Sequence, residues 1–213
     1  MGDGNAVSIS AKYDGLYCAW LERQGSHARD VEWRKAHLLW RHQALLRRYP
    51  PAGKRILDFG CMDGIFTLRA QELGGDVVGY DVSPAAIHQA ETFRGEADRP
   101  IFTTVPPARG GFDMVYCQEV IEHVEDDSGL VGTLVSFLAP GGSVVGTTPV
   151  GRYFWDPDHK REYDEASLRR ALEPWGRVRI HRYYRTRLRN LLPIRQRGAA
   201  VFIFEVTPTG HPR

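Results

Sequence analysis

The stretch RILDFGCMDGIFTLRAQELGGDVVGYDVSP, Arg55 to Pro84, constrains the fold of this chain more than any other segment. It reads as a short apolar strand, a turn carrying Gly60 and Gly64, a helix closed by Gly74 and Gly75, and a second strand ending on Asp81. RILDF lacks the alternation of a half-solvated strand, which predicts burial on both faces, as in a parallel sheet. Gly74-Gly75 offers an easy left-handed helix stop.

The remaining elements follow the same rhythm. Ser83-Pro84 supplies an N-cap and a first-turn proline for a helix over AAIHQAETF. PIFTTV, GFDMVYC and GGSVVGTTP predict strands three to five, with GLVGTLVSFLAP a helix between the last two and VIEHV opening another. DEASLRRALEPWG predicts a short helix, and RVRIHRYY and AAVFIFEVTP two final strands without room for a helical crossover between them. The expected fold is therefore α/β, a doubly wound, seven-stranded, mostly parallel sheet with an antiparallel edge pair. VEWRKAHLLWRHQALLRRY, Val31 to Tyr49, predicts one amphipathic helix stopped by Pro50 and Pro51. Residues 1–50 are expected to form a helical N-terminal extension or lid, and 51–213 the main domain.

Composition narrows the class. The 213 residues carry 42% hydrophobic and 25% charged side chains, ordinary for a globular fold and unlike a disordered chain. No run reaches the roughly 20 apolar residues of a membrane span, so no membrane partner is expected. MGDGNAVSIS has neither a basic start nor an apolar stretch, which predicts no secretory signal. Cys18, Cys61 and Cys117 have no Cys-x-x-Cys spacing, which suits a reducing, cytoplasmic setting.

The first turn decides the ligand class. A dinucleotide site needs Gly-x-Gly-x-x-Gly so that the backbone can approach a pyrophosphate. Here Cys61, Met62 and Asp63 separate Gly60 from Gly64, and Asp63 sets a negative charge where a diphosphate would lie. A ligand with a ribose but no phosphate removes the conflict. Asp81 can accept from both ribose hydroxyls, while Asp58 and Asp63 would face a cationic amino acid moiety.

LDFGCMDG, GYDVSP, FDMVYCQEVIEHV and LAPGGSVVGTTP together resemble the motifs of class I S-adenosylmethionine-dependent methyltransferases, with their Rossmann-like sheet, and most resemble the ubiquinone-pathway O-methyltransferase group. The resemblance implies S-adenosylmethionine contacts from Asp58, Gly60, Cys61, Met62 and Gly64 in the first motif. It implies further contacts from Asp81 and Val82 in the second, and from Gln118 and Glu119 after strand four. Two positions depart from the family pattern. Met62 stands where the family has its middle glycine, and Thr103 and Thr104 stand where an acid often contacts adenine.

Methyl transfer needs alignment and, for a hydroxyl acceptor, a base. Glu119, Glu122 and His123 are spaced i, i+3 and i+4, one face of a helix, and His123 is the best candidate base. His159, after strand five, could approach across the cleft as a second catalytic residue. Glu119, Glu122, His123 and His159 could equally hold a divalent metal. Similar Glu-x-x-Glu-His sets occur in ubiquinone-pathway O-methyltransferases and in small-RNA 2′-O-methyltransferases.

The expected acceptor is a small molecule methylated on oxygen, roofed by the aromatics of YDGLYCAW and VGRYFWDPDH. Core packing is the expectation for at least two of Trp20, Trp33 and Trp40, and solvation for Arg34. Arg177, Arg179, Arg182, Arg185, Arg187, Arg189, Arg195 and Arg197 leave RNA as an alternative partner, although charged edge strands also discourage aggregation. A third alternative is a non-catalytic protein that binds S-adenosylmethionine.

Overall fold

The computed structural model describes residues 3–22, 27–154, 156–185 and 200–210. Seven strands form one sheet: β1 (Arg55–Phe59), β2 (Asp76–Tyr80), β3 (Ile101–Thr103), β4 (Phe112–Gln118), β5 (Leu138–Pro149), β6 (Arg177–Tyr184) and β7 (Ala200–Thr207). Their order is β3-β2-β1-β4-β5-β7-β6. Pairing is parallel for β1 with β2, β2 with β3 and β4 with β5, and antiparallel for β7 with both β5 and β6. The expected edge pair is therefore present, with β6 outermost.

The expected single helix over 31–49 is two. They are α2 (Val31–Ala36) and α3 (Trp40–Arg48), preceded by α1 (Asp3–Glu22). Asp30 caps α2 by accepting from Trp33 N at 2.9 Å, and His37 closes it. Apolar spacing runs through the break because Leu38, in the linker itself, is buried. Periodicity registers which residues turn inward but not where the axis changes.

The chain divides into two compact units, residues 1–38 with 51–108 and residues 39–50 with 109–213. In the first, α4 (Ile65–Glu72) and α5 (Pro84–Arg94) flank β1, β2 and β3. Cys61, Ile87, Ala90 and Phe102 make a buried cluster there. Ser83 caps α5 by accepting from Ala86 N at 3.1 Å, as its sequence predicts. Asp14 of α1 adds a second acceptor at the same helix start, taking Ala85 N at 3.0 Å and the Ser83 hydroxyl.

In the second unit, α3 buries Ala44, Leu45 and Leu46, while α6 (Asp127–Ser136) and α7 (Glu165–Leu172) bury Val131, Leu134, Leu168 and Leu172. β5 starts at Leu138, so LAP belongs to the strand rather than to the end of a helix. VIEHV is not the start of an α-helix either: Ile121–His123 is a single 3₁₀ turn, and α6 begins only after Asp126 caps it. Along β6, Arg177, Arg179, His181 and Arg182 are exposed, which accords with a solvated edge strand. Arg187, Arg189, Arg195 and Arg197 lie outside the described residues.

Core packing was expected for at least two of Trp20, Trp33 and Trp40, but none of the three is fully buried. Trp33 is 40% exposed and stacks between His27 and His37, with ring centroids 4.4 and 4.2 Å away. Trp20 and Trp40 are half-buried. Trp20 lies under Arg34, and Trp40 stacks on Tyr183.

Candidate functional site

The predicted residues fall in both units. In the first unit the turn after β1 is built on left-handed backbone. Gly60 and Gly64 have φ 79° and 76°, and Met62, in the glycine position, takes φ 53°. Gly64 has a second reason to lack a side chain, since a Cβ there would lie 2.5 Å from the buried Phe102 ring. Gly60 N and Cys61 N both donate to Tyr80 O, at 2.8 and 3.0 Å, which draws the turn against the end of β2.

Asp81, one residue beyond that strand, accepts Met62 N on Oδ2 and Ser83 N on Oδ1, each at 2.9 Å. A carboxylate has about four acceptor positions, so capacity remains for further donors. Burial pushes the Asp81 pKa up against these backbone donors, and the Asp14 carboxylate pushes the same way. Val82, between Asp81 and the Ser83 cap, is half-buried.

The other two acids of the motif are already engaged. Asp58 is 1% exposed and accepts the Thr67 hydroxyl at 2.6 Å. Asp63 receives Arg34 through both guanidinium nitrogens, at 2.6 and 3.2 Å. Arg34, expected to be solvated, has only 14% of its side chain exposed and lies 5.1 and 5.5 Å from the Trp20 and Phe93 ring centroids. Burial still outweighs the arginine and raises the Asp63 pKa. The Asp63 charge, expected to set this turn against a diphosphate, is thus balanced by Arg34. Burial, and then the neighbouring Asp63 carboxylate, raise the pKa of the Tyr17 hydroxyl.

The second unit holds the acid–histidine group. Glu119 has φ 55° and its N donates to Thr147 O at 2.9 Å, so it ends β4 in a strained turn rather than beginning a helix. Its carboxylate lies 3.2 Å from Arg41 Nε, a partner the sequence did not suggest. Glu122, His123 and His159 instead come together, with one potential ligand atom from each within 4.8 Å of the others. Glu119 is not one of these three.

Glu122 is 1% exposed; Oε2 accepts the Thr148 hydroxyl at 3.0 Å, while Oε1 is buried without a partner. Burial, reinforced by the Glu119 charge, holds its pKa well above the carboxylate range. His123 Nδ1 meets Asp158 Oδ2 at 3.2 Å, and its ring stands edge-on to His159 at 4.7 Å. Burial, and then His123, lowers the His159 pKa. Lys160 N donates to Glu122 O at 2.8 Å, which fixes the loop carrying His159 over the 3₁₀ turn. A cavity of about 340 Å³ opens beside His159 and is lined also by Arg152, Asp156 and Lys160. Gln118 presents a buried Oε1 with no partner. Nothing is described of the side chains of Tyr153, Phe154 and Trp155 from the expected aromatic roof.

A family model described as "Methyltransferase domain" matches residues 27–200. The chain is 29% identical over 168 residues to the ubiquinone biosynthesis O-methyltransferase of Psychrobacter cryohalolentis, covering 68% of this chain and 65% of that protein. It is 30% identical over 148 residues to the protein of the same name from Albidiferax ferrireducens, covering 65% and 56%. The chain thus spans less than two thirds of these relatives. In fold it is similar to magnesium protoporphyrin IX methyltransferase from Synechocystis PCC 6803, solved with bound SAM, at a TM-score of 0.66 and 16% identity over 96% of this chain and 97% of that one.

Proposed function

The chain belongs to the methyltransferase domain family, and on that premise we propose that it transfers the methyl group of S-adenosylmethionine to a hydroxyl oxygen of a small-molecule acceptor. The observation that carries the reading is Asp81, a carboxylate beyond β2 held by two backbone donors with acceptor capacity left over. Two adjacent hydroxyls suit that capacity, whereas a phosphate on the same ribose would be repelled. Met62 and the flanking glycines let the turn backbone approach the nucleoside.

When bound, the cofactor supplies an electrophilic methyl on a good leaving group. The chain has to orient the acceptor and take its proton. With Asp158 accepting the Nδ1 proton of His123, Nε2 is the basic nitrogen, which suits that residue to the task. His159, kept neutral by burial, is suited to hydrogen-bond the same hydroxyl. That these relatives are O-methyltransferases supports oxygen as the acceptor atom.

A second reading is favoured by the unpartnered Glu122 Oε1. Glu122, His123 and His159 would hold a divalent metal, with oxygen and nitrogen donors of the right kind. Bound there, a metal would supply Lewis acidity toward the acceptor hydroxyl.

Calorimetric titration with S-adenosylhomocysteine, alongside transfer of labelled methyl to hydroxylated acceptors, tests the main reading. Saturable binding that Asp81→Ala abolishes, and turnover that His123→Gln suppresses, are expected. Binding unaffected by Asp81→Ala overturns it.

A further inference from the structure

We infer that the cleft between α3 and β6 is an anion site that takes a phosphate-bearing ligand. The cleft has a volume of about 390 Å³, with Ala44 and Ile203 apolar and Arg47, Arg48, His181, Arg182 and Tyr183 polar. Three guanidiniums and an imidazole line it, and among the described residues no carboxylate does. The nearby acid, Glu205, is occupied elsewhere: its Oε2 receives Arg179 at 3.1 Å and the Tyr49 hydroxyl at 3.4 Å.

Among the described residues, the cleft arginines make their hydrogen bonds and ring contacts with uncharged or aromatic groups. Arg47 reaches Tyr183 Oη at 3.4 Å and Gln43 Oε1 at 3.5 Å. Arg48 lies against His181 Nε2. Arg182 stacks 5.3 Å from the Phe202 ring centroid, which uses the face of the guanidinium and spares its N–H donors. Edge-strand protection explains charge along β6, but not why a helix sets two more arginines opposite it. Convergent cations without an acid repel one another, and a phosphate relieves that repulsion through forked guanidinium contacts. The Trp40–Tyr183 stack, with centroids 5.9 Å apart, gives the cleft a stiff side.

His181 reports on occupancy. It faces Arg48 from α3, Glu205 from β7 and Arg179 on its own strand, and burial together with Arg48 lowers its pKa. An anion in the cleft reverses the effect of the arginine and raises the titration midpoint.

The test titrates the full chain with inorganic pyrophosphate at low ionic strength, by calorimetry and by NMR of the His181 ring. Expected are saturable binding, a raised His181 midpoint, and a loss of roughly tenfold or more in affinity for Arg48→Gln/Arg182→Gln. Arg179→Gln, outside the cleft, should bind as the parent does. Pyrophosphate binding without sedimentation on phosphatidic acid vesicles identifies a soluble phosphate ligand; binding together with sedimentation on them, but not on neutral vesicles, identifies a lipid headgroup. Absence of saturation, an unmoved His181, or equal loss in Arg179→Gln overturns the proposal.

Discussion

The backbone N–H of Met62 donates to Asp81 Oδ2 at 2.9 Å from a left-handed conformation, φ 53°. A side chain here costs about 1 kcal/mol of backbone strain, and glycine would recover it while losing about as much to unfolded-chain freedom. Met62→Gly should therefore unfold in urea near the parent midpoint. Met62→Val, β-branched, should lose roughly 1–2 kcal/mol and bind S-adenosylhomocysteine more weakly, because the Asp81 contact moves with the turn. Equal midpoints for the two variants would mean that the turn is not held in this conformation.

Arg34 and Asp63 form a buried pair with 14% and 4% of their side chains exposed. Arg34→Met leaves Asp63 to be buried as an unpaired charge or to take up a proton, a loss of about 2–4 kcal/mol near neutral pH. Burial already raises the Asp63 pKa with the arginine present, so the variant raises it further. A carboxyl whose folded pKa is raised favours the folded state below its unfolded value and loses that contribution as pH rises. The deficit should accordingly shrink on going from about pH 7 to about pH 5. Denaturant melts of both proteins at the two pH values measure it.

The elements legible in the sequence were those marked by local chemistry. Ser83-Pro84 started α5 where expected, β4 and β7 matched their apolar runs, and β6 its basic, alternating one. What misled was spacing without context. Glu119, Glu122 and His123 suit a helix face, but Glu119 turns left-handed because its N–H bonds back to Thr147 as the sheet ends. Arg34 reads as a solvated helix residue because its partner lies 29 positions away. Arg41 escaped notice for the same reason, since its acid is Glu119. The pairing of His123 with His159 was legible as chemistry, whereas Asp158 beside them was not singled out.

The metal site proposed at Glu122, His123 and His159 should bind in a pH-dependent way. The folded pKa of Glu122 is held well above the usual carboxylate value, so a divalent cation must displace a proton. Manganese affinity should rise from about pH 6 to about pH 8, with proton release visible as a dependence of the heat on buffer ionisation enthalpy. Glu122→Gln, which mimics the neutral form, should lose binding without losing stability in metal-free buffer. Binding that is independent of pH, or retained in the variant, counts against this cluster as the metal site.

Gly64→Ala should be among the more damaging single changes in the first unit, for two separable reasons. Left-handed φ of 76° costs alanine about 1 kcal/mol. The new Cβ would also lie 2.5 Å from the Phe102 ring, which is only 6% exposed and packed on Cys61, Ile87 and Ala90, so the ring cannot swing away. Overpacking adds roughly 1–3 kcal/mol. Phe102→Leu alone should cost about 1 kcal/mol by loosening the cluster, but in the Gly64→Ala background it should recover part of the loss by relieving the ring clash, leaving the 2.9 Å approach to the Ala90 Cβ. The double variant is then more stable than the sum of the single losses implies, while the backbone strain persists. Strict additivity in the mutant cycle would show that the ring and the turn do not press on each other.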